Sequence, residues 1–215
     1  MLIKNLTILF TSCIILASCG SSDTKNQVES TAEDPTEEEY VKPEVEETTS
    51  STTATKANIS SETLGTFITE FINCKSTATE HSQCRNKTTE VISKLYGLDE
   101  FKDKFGKYEV YDTIQAVVKR SDDWVTIGTA TEQANLDQAV AYANKGQLVL
   151  IIDTKEIFVH VVMVLAGTTK ASGSWGMNLP KVFSLANYDA EKSFQDKSLA
   201  YAFKKSDDLT IFVRK

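Results

Sequence analysis

The chain has 215 residues, 41% of them hydrophobic and 25% charged, with a formal net charge of −7. That length allows a domain with a sizeable buried core. The excess of acid argues against a nucleic-acid-binding surface.

The opening MLIKNLTILFTSCIILASCGSS places Lys4 before a short apolar stretch that runs to Ala17. Such a stretch is too short to cross a bilayer and has the layout of a signal peptide over residues 1–18. Leu16-Ala17-Ser18-Cys19 resembles the bacterial lipoprotein box. That resemblance implies cleavage before Cys19, lipidation of its thiol, and attachment to a membrane of the bacterial cell envelope, the outer membrane first. The rival reading is an ordinary secretory signal in which Cys19 is incidental.

Residues 19–60 include EDPTEEEYVKPEVEETTSSTT, which has few apolar side chains to bury. A segment of this kind does not offset its ordering entropy and reads as a flexible tether. Residues 20–60 hold ten acidic and three basic side chains, whereas 61–215 hold 20 acidic and 19 basic ones. The acidity therefore belongs to the tether, and the domain at 61–215 has no basic patch suggesting nucleic acid.

SETLGTFITEFINC spaces Leu64, Phe67, Ile68, Phe71 and Ile72 at helical intervals, predicting an amphipathic helix. A second helix should begin near Cys84 and end at Gly97. A third is expected over Val110–Lys119 with Tyr111, Ile114, Val117 and Val118 inward, and a fourth over Glu132–Asn144 between a Thr131 cap and Gly146. SDDWV reads as a turn leading into the sheet. The pattern then changes. QLVLIID (147–153) and IFVHVVMVLAG (157–167) are strand-length apolar runs, followed by the loop TTKASGSWGMNLP, KVFSLAN (181–187), a short YAF segment near 201, and LTIFVRK at the end. Helices first and strands after indicate an α+β domain with a mostly antiparallel sheet.

Chemistry-bearing residues are few. The only histidines are His81 and His160, and no CxxC, HxH, HExxH, GxGxxG or GxxxxGK spacing occurs, so neither metal nor nucleotide cofactor is expected. His160 lies in an apolar strand, on the face of Phe158, Val162 and Val164 by strand alternation. It reads either as a core histidine satisfied by hydrogen bonds or as half of a catalytic pair. A thiol in the first turn of a helix next to Arg85 would be favoured as thiolate, which makes Cys84 a candidate nucleophile and His160 its base. Cys74, at the opposite end of a helix, is less favoured.

The ordered set QC-x-N-x(4)-EVISKLYGLDEF, YDTIQAVVKRSDDWVTI, A-x-ANKGQLVLII, HVVMVLAG, SGSWG-x-NLPKVF and SLAYAF resembles the NlpC/CHAP type of papain-like cysteine peptidases and amidases. The resemblance implies a papain-like fold with N-terminal helices on an antiparallel sheet. It also implies a hydrolase that cleaves amide bonds of peptidoglycan stem peptides, with Cys84 as nucleophile, His160 as general acid and base, and a third polar residue orienting the ring. Asn187 is the first choice for that third residue, with Ser184 and Asp189 behind it. Gln83 or Asn86 would assist at the oxyanion, and Trp175 would line the substrate groove, although Trp175 and Trp124 fit packing equally well. Val159 stands where the family often has glycine. Cys74 and Cys84 also suit a disulfide in an oxidising envelope, which would leave an inactive relative that binds wall fragments or a partner protein.

Overall fold

The computed structural model describes residues 59–80, 82–155 and 159–215. The signal peptide, Cys19, residues 20–58 of the tether, His81 and Phe158 lie outside the described residues. No described helix is long and apolar enough to cross a membrane.

Helix α1 (Ser61–Thr77) starts where Ser60 accepts a hydrogen bond from the Thr63 amide at 3.1 Å, satisfying one of the orphan donors of the first turn. Its Leu64 and Phe71 are buried, with Phe67 and Ile68 packed beside them. Helix α2 (Lys87–Tyr96) starts later than its apolar spacing suggests. Cys84 has φ +67°, a left-handed conformation that cannot belong to a helix, so residues 82–86 form a turn that delivers the chain to Lys87. Gly97, at φ 66°, closes α2 as expected. The third expected helix is a single 3-10 turn, Tyr111–Thr113, running into α3 (Ile114–Arg120), and the four inward residues are buried.

The fourth helix, α4, spans Gln133–Asn144 with Glu132 as its extended first residue and no side-chain cap. Thr131 does not cap it; its hydroxyl donates to Asp207 Oδ1 at 2.8 Å instead.

Strands β1 (Trp124–Thr129), β2 (Val149–Asp153), β3 (Val161–Val164), β6 (Lys181–Ser184), β7 (Phe194–Ser198) and β8 (Leu209–Arg214) form one sheet. Its order is β1-β8-β2-β3-β6-β7, and every neighbouring pair is antiparallel. The domain is thus α+β with an antiparallel sheet. Strands β4 (Lys170–Ser172) and β5 (Met177–Leu179) pair as a separate hairpin within the segment read as a loop. The SDDWV turn opens into β1, and the YAF segment (201–203) is not a strand but the end of a 3-10 turn, Leu199–Tyr201, and the residues that follow it.

Both faces of the sheet are covered. On one face Leu150, Ile152, Val161, Met163, Phe183 and Phe212 pack against α1, α2 and α3. On the other, Val149, Ile151, Val162, Val164, Val182 and Ile211 pack against α4, Trp175 and Leu199. Double coverage is why β2 and β3 read as continuous apolar runs and not as alternating ones. Burial of this kind contributes about 25 cal/mol per Å² of apolar surface.

Candidate functional site

Three strands stop at the same end of the sheet. Strand β2 ends at Asp153, β3 begins just after His160, and the chain leaving β6 passes Asn187; the Asp153 amide donates to the His160 carbonyl at 3.1 Å, carrying the β2–β3 ladder one step past the strand. Beyond these ends opens a cavity of about 810 Å³, walled by Tyr111, His160, Asn187, Tyr188 and Phe203 and rimmed by Lys75, Arg85 and Lys204.

His160 faces this cavity with its ring set by packing. Its Nε2 and the Ser184 hydroxyl share a hydrogen bond of 3.1 Å. Register explains the contact: Val162 pairs with Ser184, so His160, two residues earlier on the same face, is the diagonal neighbour of Ser184. Phe203 meets the ring edge-on at 5.1 Å and Tyr188 at 6.2 Å. Burial pushes the His160 pKa down to about 4, against a smaller upward pull from Asp153. The imidazole is neutral at pH 7.

The sulfur of Cys84 is already bonded. Cys74, in the last turn of α1, and Cys84, in the turn before α2, form a disulfide with their Cα atoms 6.1 Å apart. Cys84 is 8% exposed and packs in the core with Val91 and Phe101. Two premises of a reactive thiolate at Cys84 thus need correction: the residue lies ahead of the first turn of α2, with no helix dipole acting on it directly, and its sulfur is bonded. The neighbouring Arg85 pairs with the Asp112 carboxylate, and its guanidinium lies 5.4 Å from the Tyr111 ring centroid.

The other expected site residues divide. Asn187 stands in the cavity wall, but its side chain makes no hydrogen bond to His160; its Oδ1 is buried with no partner among the described residues. Ser184 holds the histidine. Asp189 starts the short 3-10 turn Ala190–Lys192 and pairs with Lys192 at 3.1 Å. Gln83 is exposed, and its Oε1 accepts the Thr79 amide at 2.9 Å. Asn86 precedes α2 without capping it. Trp175 is only 5% exposed and fills the α4 face of the core, so its ring packs and does not line the groove. Its carbonyl accepts Lys205 Nζ at 3.2 Å.

The residues missed from the sequence are the cavity's charged and aromatic ones: Lys75, Arg85, Tyr111, Tyr188, Phe203 and Lys204. They come from five separate parts of the chain, with no local spacing to link them. Tyr188, which is 70% exposed, directly follows the expected site residue Asn187, and that adjacency was the one signal available. Among the described residues no cluster of three or more His, Cys, Asp or Glu side chains could hold a metal ion. No protein-family model and no curated protein sequence matches the chain.

Proposed function

We propose that this is a lipid-anchored protein of the bacterial envelope whose domain, a papain-like relative without hydrolytic activity, binds a peptide fragment of the cell wall in the cavity beside His160. The observation that carries the reading is the Cys74–Cys84 disulfide. A cysteine hydrolase needs a thiolate beside an imidazolium, whereas here the sulfur is oxidised and the histidine is neutral and tied to Ser184. What remains is a cavity of ligand size lined by aromatic rings and by Asn187, whose buried Oδ1 has no partner among the described residues.

The test uses the full chain in detergent, incubated with purified peptidoglycan. The expected result is co-sedimentation with an unchanged muropeptide profile, reduced by Tyr188→Ala together with Asn187→Ala. Failure of the wild-type chain to sediment with the wall overturns the reading.

A second reading is favoured by one observation. Ser82 and Arg85, which flank Cys84, and His160 line the same cavity. On that reading the disulfide stores a latent nucleophile, and reduction releases a Cys84/His160 peptidase or amidase. New muropeptides produced only with reductant, and absent in Cys84→Ser and His160→Ala, would establish it.

A further inference from the structure

Cations rim the His160 cavity unevenly. Arg85 is paired with Asp112, but Lys75 has no carboxylate within salt-bridge distance among the described residues. Lys75 is half-buried at the end of α1, with its ammonium 5.9 Å from the Phe71 ring centroid. Burial lowers its pKa, and the Arg85 charge lowers it further. Two positive groups thus approach each other on one wall, with Lys204 on the same rim. Among the described residues the one carboxylate lining the cavity, Asp153, already accepts the Lys155 amide at 3.1 Å.

An uncompensated, partly desolvated cation is unfavourable in the empty protein and becomes favourable once an anion arrives. Asn187 poses the complementary problem with neutral groups. Its Oδ1 is buried without a donor, and a buried acceptor of that kind gains from a ligand N–H. The neutral His160 ring and the Tyr111, Tyr188 and Phe203 rings line the same cavity and supply ring surface for a ligand to pack on.

We infer that Lys75 forms a carboxylate-recognising end of the cavity and Asn187 an amide-recognising end, so that the site takes a short peptide with a free carboxylate. This rests on the binding reading above and specifies its ligand. Stem peptides of the wall and free peptides share that chemistry, and competition separates the two sources.

The probes are N-acetyl-Ala-Ala with a free carboxylate and its C-terminal amide, titrated calorimetrically into the full chain in detergent. The acid is expected to bind at least tenfold more tightly than the amide, with the advantage shrinking as salt rises. Lys75→Met should abolish the preference, Lys75→Arg should keep most of it, and Asn187→Ala should weaken both peptides alike. If the acid displaces the chain from peptidoglycan, the ligand in the wall is the stem peptide; if the acid binds without displacing it, the ligand is a free peptide. Equal binding of acid and amide, or a preference that survives Lys75→Met, overturns the carboxylate end while the cavity reading stands. Binding of neither peptide, together with no sedimentation with the wall, overturns both.

Discussion

His160 Nε2 and Ser184 Oγ stand 3.1 Å apart across neighbouring strands, held by the β3–β6 register. The contact satisfies one ring nitrogen, while burial keeps the imidazole uncharged. A strand histidine expected to serve as a base is thus fixed by a hydroxyl, with Phe203 and Tyr188 against its edges.

That arrangement gives stability a defined pH dependence. The folded-state pKa of His160 lies at about 4, below the ordinary 6.5. The unfolded chain therefore takes up the proton first as pH falls. The contribution of this residue is fully present above pH 6.5 and is lost progressively between pH 6.5 and 4, by up to roughly 3 kcal/mol. Urea midpoints measured from pH 7.5 to 4 should fall over that window. His160→Gln, which cannot titrate, should flatten the slope there; an unchanged slope would show that other groups set it.

The disulfide closes a loop with a sequence separation of 10. Loop-closure entropy assigns it roughly 2 to 3 kcal/mol. Cys74→Ala with Cys84→Ala should lower the denaturation free energy by that amount. Non-reducing peptide mapping after alkylation should recover the two cysteines as one cross-linked peptide pair. Two alkylated, unlinked peptides would contradict the bond.

Gly128 sits at an irregularity in the β1–β8 pairing with φ +149°. A Cβ there would come within 2.4 Å of Asn135 Nδ2, the amide that donates to the Thr129 carbonyl at 3.0 Å. Gly128→Ala should cost about 1 to 3 kcal/mol and lower the melting temperature by several degrees. Adding Asn135→Ala removes the collision but not the backbone strain, so the double variant should be less unstable than the sum of the singles.

Glu100 joins three parts of the chain. It accepts Trp124 Nε1 at 2.9 Å and Arg214 Nε at 3.2 Å, next to the Arg214 contact with Asp123 at 3.6 Å. Glu100→Ala leaves an indole N–H and a guanidinium less satisfied and should cost about 1 to 3 kcal/mol. Glu100→Gln, which still accepts from the indole, should cost less. Tryptophan emission should shift in the alanine variant; a stability equal to wild type would remove this cluster from the fold's supports.

Much of the architecture was legible because it follows from local periodicity. The spacing of Leu64 and Phe71 marks α1, the runs around Ile151 and Val162 mark central strands covered on both faces, and Gly97 marks the end of α2. Short edge elements were not legible. Strands β1 and β7 carry mixed burial, and the β4–β5 hairpin lies in a segment rich in glycine and serine, so neither pattern separates them from turns.

The site divides along the same line. By itself the sequence determined that His160 belongs to an apolar run of strand length and that Cys84 has one cysteine close enough to rival any histidine for its sulfur; that His160 and Asn187 lie just beyond the strand ends is a result of the fold. Only the tertiary structure decided which atom Cys84 touches and that Ser184, a diagonal neighbour, takes the His160 ring. It alone gathered Lys75, Arg85 and Lys204 around one opening. These are facts of register, of chain reversal between two helices, and of charges brought together from distant segments, and no local spacing encodes them.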